Sequence, residues 1–141
     1  MNMAKLHSAV KQYSQVGVAS GVEAANPHRL INMLMDGALE KMAMAKGYMA
    51  RKDIAHKGSH ISWAISIIDG LRASLDKDSG GDIATNLDDL YDYMGQRLLR
   101  ANAENNADIL DEVISLMRSI KTAWEAIPAA ARQAAEVKKN G

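Results

Sequence analysis

Apolar side chains recur at three- and four-residue intervals through most of this chain, the spacing that lines one face of an α-helix. Leu30, Leu34, Ala38, Met42, Ala45 and Met49 predict a first helix running to about Arg51. Asn26-Pro27 opens it, because asparagine caps free backbone N–H groups and proline at the first helical position gives up a donor that has no partner there. Asp53 is placed to cap a second helix, whose stripe is Ile61, Ala64, Ile65, Ile68, Leu71 and Leu75 and which ends near Asp78. Ser79-Gly80-Gly81-Asp82 breaks the pattern, with Ser79 and Asp82 at the spacing of an acidic capping box. The third helix carries Ile83, Leu87, Leu90, Met94 and Leu98 on one side. Its acids Asp82, Asp88 and Asp89 come early and Arg97 and Arg100 late, as the helix dipole favours. After Asn105-Asn106-Ala107-Asp108, a fourth helix keeps Leu110, Val113, Met117, Ile120 and Trp124 in register until Pro128 ends or kinks it.

Four helices of about 20 residues joined by short connections imply antiparallel neighbours. The expected architecture is all-α, an up-down four-helix bundle over residues 26–127. Residues 1–25 read as an arm: Leu6, Ala9, Val10 and Tyr13 mark a short amphipathic helix or turn before Gly17, Ser20 and Gly21 interrupt it. Residues 128–141 are alanine-rich, basic at their end and poor in large side chains, so they are expected to fray.

A chain of 141 residues suits one domain, and roughly two-thirds of its extended surface is buriable at that size. It has two prolines, no phenylalanine and nine methionines. Methionine fills irregular core gaps and also suits adaptable binding surfaces. The absence of cysteine removes disulfide, thiolate-zinc and thiol-nucleophile chemistry. Seventeen basic residues balance seventeen acidic ones, which leaves no net field for nucleic acid. No apolar run approaches the ~20 residues of a membrane span, and the first residues lack a secretory apolar stretch. The expectation is a cytoplasmic protein with no nucleic-acid partner and no membrane insertion.

Little else points to chemistry. His56 and His60 stand one helical turn apart near Asp53, a spacing that could reach one metal ion but is met more often by two solvated side chains. His56-Lys57-Gly58-Ser59 is similar to the phosphorylatable stretch of helical phosphotransfer domains. There, however, lysine and glycine follow the histidine at three and four positions; here they follow at one and two. Phosphate loops, serine elbows and paired metal-binding histidines of the HExxH type are missing. Asp36, between Met35 and Gly37, reads as a buried, hydrogen-bonded carboxylate. No catalytic, cofactor-binding or metal site is expected.

What stands out is surplus apolar surface. Beyond one stripe per helix, the chain adds Ile31, Met35, Leu39, Trp63, Ile67, Tyr91, Leu99, Ile109, Ile114 and Leu116, where a bundle helix ordinarily buries about three residues in seven. Two readings stay open: a wider core, or an external groove for a foreign amphipathic helix. A wet groove would be costly, and the arm's Leu6, Val10, Tyr13 and Val16 are the spare side chains able to cover it. A structural homo-oligomer or a helical signalling module are the competing classes.

From about Tyr13 to Trp124 the chain resembles the FliS family of flagellin export chaperones. The resemblance rests on Asn26-Pro27-His28-Arg29-Leu30-Ile31 leading into Leu34-Met35-Asp36-Gly37-Ala38, on Ala64-Ile65-Ser66-Ile67-Ile68, on Gly80-Gly81-Asp82-Ile83-Ala84, and on Asn86-Leu87-Asp88-Asp89-Leu90-Tyr91-Asp92-Tyr93-Met94. Two features depart from it: Met35 stands where the family usually has tyrosine or phenylalanine, and the Tyr13-to-Val16 spacing is shorter than usual. The resemblance implies a non-enzymatic chaperone that binds the C-terminal segment of flagellin in the cytosol, prevents early polymerisation and supports delivery to the flagellar export apparatus. By analogy Met35, Leu39, Ile61, Ile65, Ile68, Leu87, Tyr91 and Met94 lie in or beside the client groove, and the arm covers part of it when no client is bound.

Overall fold

The computed structural model describes residues 27–127, which form four helices: α1 (Pro27–Ala50), α2 (Ile54–Ala73), α3 (Lys77–Glu104) and α4 (Ala107–Glu125). Helix α1 packs on α2 and α4, and α3 closes the ring by packing on the same two. Side-chain pairs fix the directions. Tyr48 stacks on His56 while Lys41 lies over Trp63, so α1 and α2 run opposite ways. Lys57 reaches Asn102 while Arg72 reaches Asp88, which reverses α3 against α2. His28 meets Trp124, Asp36 meets Lys121 and Lys46 meets Asp111, which reverses α4 against α1. Antiparallel order around the whole bundle follows.

The turns show why the helices stop where they do. After α1, Lys52 adopts the left-handed conformation (φ 61°), its N–H donates to the Met49 carbonyl and the Asp53 N–H to the Tyr48 carbonyl. This is the Schellman pattern, completed here without glycine. Asp53 then caps α2, accepting from the His56 N–H at 3.2 Å. Asn105 (φ 52°) ends α3 in the same left-handed region, and Asn106 caps α4 by accepting from the N–H groups of Asp108 and Ile109.

The start of α3 differs from the expected capping box. Asp76 is the cap, accepting from the Ser79 N–H at 3.1 Å, and one helical turn precedes the break. The break itself is Gly81, at φ 54° and ψ −130°, a conformation essentially closed to residues with a Cβ. Its neighbour serves another need: a Cβ on Gly80 would come within 2.7 Å of Ala84 Cβ. Asn26 and Pro128, expected at the bundle's two boundaries, lie outside the described residues, as do the whole arm and tail.

The core runs the length of the bundle. Ala38, Ala45, Ala64 and Ala101 are fully covered, so the helices approach closely at those levels, while Met35, Met42, Met94 and Met117 fill the space between. Half of the surplus apolar set is consumed here: Met35, Ile67, Tyr91, Ile109 and Ile114 are buried. Two expectations fail. Asp36 is not a buried carboxylate; its side chain is 57% exposed and pairs with Lys121 Nζ at 3.2 Å on the α1–α4 flank. Ile83, placed by its spacing on the core stripe, is 73% exposed, because it follows the Gly81 break at the rim of the bundle.

Lys57 is buried, an unusual place for a lysine. Its ammonium donates to the Asn102 carbonyl at 3.0 Å and to the Asn105 side-chain oxygen. It therefore caps the C-terminal end of α3 from the first turn of α2, where a cation meets the negative end of the helix dipole. At the opposite end Arg72 binds Asp88 through Nε at 2.6 Å and Asp92 at 3.1 Å, and Lys77 adds a contact to Asp88 at 3.2 Å.

Replacing Lys57 with methionine keeps the apolar stem but leaves the Asn102 carbonyl without its cation. A loss of about 2 kcal/mol in urea unfolding is expected, against no measurable change for the exposed Lys52→Met. The Arg72 network predicts acid sensitivity. The hydrogen bond from Arg72, aided by Lys77, holds the Asp88 carboxyl below its ordinary 3.8. The unfolded chain then binds the proton first, so this contribution is complete above that value and lost as pH falls through the lower, native one. Asp88→Asn should be less stable at neutral pH and show a flatter decline below about pH 4 in acid unfolding followed by circular dichroism.

Candidate functional site

The eight residues expected near a client groove separate into two groups. Met35, Ile61, Ile68, Tyr91 and Met94 belong to the buried core, whereas Leu39, Ile65 and Leu87 are half-buried and packed against it. These three do not share one face. Leu39 follows Asp36 by one turn on the α1 flank that meets α4. Ile65 precedes Arg72 by seven residues, hence lies on the α2 flank toward α3. Leu87 is on α3 itself. A partner touching all three would have to wrap around the bundle. The arm residues Leu6, Val10, Tyr13 and Val16 lie outside the described residues.

A more continuous apolar strip lies where α3 meets α4. Ile83, Leu90 and Arg97 are spaced by seven and share one face of α3, and Arg97 Nε donates to Glu112 of α4 at 2.8 Å. Ile83 and Leu90 are therefore on the α4 side. Across from them Leu116 and Ile120 continue the α4 face begun by Glu112. Leu90, Leu116 and Ile120 are half-buried, so side chains apolar enough for the core remain partly wet along this seam. Leu99, 61% exposed, lies on another face of α3. Sequence spacing had assigned Ile83, Leu90 and Ile120 to the core stripe; only the glycine pair ahead of Ile83 signalled that this end of α3 departs from regular packing.

The seam is tied at the end away from Gly81. The Tyr93 hydroxyl donates to Glu112 Oε2 at 2.5 Å, and the guanidinium of Arg97 lies over the Tyr93 ring. Hydrogen bonds from Tyr93 and Arg97 hold the Glu112 carboxyl below its usual range, and the same contact raises the Tyr93 hydroxyl. These bonds fix the α3–α4 spacing; they activate no nucleophile.

The α1–α2 face carries an aromatic band. Tyr48 packs on both His56 and His60 with centroids 5.0 Å apart, and Lys41 Nζ sits 3.8 Å over the Trp63 ring. His56 Nδ1 lies 2.8 Å from Asp53 Oδ2, while His60 Nδ1 donates to the His56 carbonyl at 2.8 Å. Among the described residues no three metal-binding side chains come together, and no helix is long and apolar enough to cross a membrane.

Comparison with known sequences places the bundle in a family. The family model described as Flagellar protein FliS matches residues 9–131. The chain belongs to the FliS family. It is 50% identical over 119 residues to the flagellar secretion chaperone FliSB of Pseudomonas aeruginosa, an alignment covering 84% of this chain and 94% of that protein. The flagellar secretion chaperone FliS of Salmonella typhimurium is 49% identical over 121 residues, covering 85% and 90%. The Bacillus subtilis FliS is more distant, at 28% over 106 residues, covering 75% and 78%. The FliS signature Leu34-Met35-Asp36-Gly37-Ala38 turns out to be mainly architectural: Leu34, Met35, Gly37 and Ala38 are buried and Asp36 joins α4.

Tyr91 illustrates the division between core and surface in this FliS chain. Burial pushes its hydroxyl up to about 12. An ultraviolet titration should show a tyrosine ionising near that value and missing from Tyr91→Phe. Tyr91→Glu should lose helix content along with any binding, because it puts a charge in the core.

Proposed function

We propose that this chain is a cytosolic export chaperone that binds the C-terminal segment of flagellin, keeps it from polymerising early and supports its delivery to the flagellar export apparatus, without catalysing a reaction. The observation that carries this reading is the half-covered apolar surface, above all the α3–α4 seam, in a chain of the FliS family. A disordered client that folds on binding must offset several kcal/mol of ordering by burying a large apolar area. Such a segment lays an apolar helix face on the chaperone in place of its partner in the filament. Leu39, Ile65 and Leu87 extend the contact around the bundle, which suits a long client that wraps. Met35, Ile61, Ile68, Tyr91 and Met94 serve it indirectly, as the support beneath the surface side chains.

The same reading gives residues 1–25 the role of an arm whose Leu6, Val10, Tyr13 and Val16 cover client surface in the free protein, residues 26–127 that of the client-binding bundle, and residues 128–141 that of a tail. Co-purification provides the test. Full-length flagellin should be retained by the tagged protein, and flagellin lacking its C-terminal segment should not; equal retention of both would end the proposal. Within the site, Leu39→Ser, Ile65→Ser and Leu87→Ser should each weaken segment binding by about tenfold in calorimetry while leaving helix content unchanged.

A further inference from the structure

The apolar seam is least covered at the pole where the described chain leaves α4. Ile83 is exposed there and Ile120 is half-buried. Ile127, seven residues past Ile120, continues the seam-facing row of α4 and is itself half-buried. The chain therefore passes into residues 128–141 directly on the seam. The arm, by contrast, joins α1, which packs on α2 and α4. Wet apolar surface is costly, and the segment that starts beside it is the one best placed to cover it.

That segment suits the role in pattern and in length. Five of its fourteen residues are alanine, the strongest helix former. Helical spacing puts Ala130, Ala134 and Val137 on the face that Ile127 begins, and Arg132, Glu136 and Lys139 on the opposite one. Small side chains let a backbone settle closely against the bulky isoleucine and leucine side chains of the seam. At about 1.5 Å per residue a helical tail is about 21 Å long, and Leu116 stands about 16 Å from Ile127 along α4. The tail is thus long enough to reverse at Pro128, which cannot continue α4, and lie back over Ile120 and Leu116. A helix of this length is marginal on its own, so its formation and its docking are one event.

We infer that residues 128–141 dock as an amphipathic helix on the α3–α4 seam of the free protein and must leave before a client segment occupies it. The displacement rests on the reading of the chain as a binder of flagellin's C-terminal segment; the docking does not. A covered seam lowers the apparent affinity for the client by the fraction of molecules in which it stands open. Alanine contacts are small, so a client with larger apolar side chains displaces the tail.

Ala130→Glu, Ala134→Glu and Val137→Glu, combined in the full-length protein, put charges on the docking face and leave the bundle's own residues untouched. In methyl-labelled NMR spectra the Ile83, Leu90, Leu116 and Ile120 signals should shift from their parent positions while Leu34 and Ile67 stay in place, and helix content should fall. A labelled C-terminal flagellin segment should bind this variant about three- to tenfold more tightly than the parent protein. Unmoved seam methyls overturn the inference and leave the proposed function standing. Moved methyls with equal segment affinity overturn the displacement. Moved methyls in a protein that binds no segment overturn the proposed function and leave the docking standing. Two other occupants give different results, and either overturns the inference: Leu6→Glu with Val10→Glu moves the seam methyls in place of the tail variant if the arm lies there, and dilution of the parent protein moves them if a second copy does.

Discussion

The bundle depends on a contact between its first and last helices. The other adjacent pairs along the ring are joined by short turns, so chain connectivity holds them together; α1 and α4 are brought together from opposite ends of the bundle's sequence. His28 and Trp124 make that junction reciprocally. The His28 Nε2 hydrogen is donated to the Trp124 carbonyl at 2.7 Å, the Trp124 indole N–H is donated to the His28 carbonyl at 2.9 Å, and the rings stack 4.7 Å apart and nearly parallel. Each hydrogen bond contributes about 1 kcal/mol and the stacking a similar amount. Asp36–Lys121 and Lys46–Asp111 then run down the same flank and keep the two helices in register.

The contact between α3 and α4 is less evenly covered. Helix α3 is bound firmly to α2 at both ends, by Lys57 at its last turn and by Arg72 near its start. Against α4 it has the Tyr93–Arg97–Glu112 group toward the end away from Gly81, and toward the Gly81 break the apolar row becomes progressively uncovered. The buried core thus coexists with a partly wet apolar seam between α3 and α4.

Much of the fold was legible in the sequence because helix boundaries are local events. Asp53, Asn105 and Asn106 act at short range, and their side chains announce where a helix starts or stops. Helical periodicity likewise identifies which face is apolar. It does not say how far along a helix that face stays covered: Ile83 and Leu98 sit on one stripe, yet the first is exposed and the second buried. Asp36 is exposed for a similar reason, since its apolar sequence neighbours describe positions a hundred degrees around the helix on either side. The candidate site was the least legible part. Whether Tyr91 or Leu87 is sealed in the core or left half-covered is decided by neighbouring helices, and only the four-way packing separates them. Lys57 and the His28–Trp124 clasp left no local signal at all, because each joins residues distant in sequence.

The positions of Pro27 and Ile127 have a practical consequence. Since α1 begins where α4 ends, the described bundle continues into both remaining stretches of chain at a single pole, beside the Gly81 break. A fluorophore attached at Pro27 or Ile127 would sit at that pole. The tight bends at Lys52 and Asn105 occupy the far pole, where a dye or surface tether would stand a full helix length away from the apolar seam's open end.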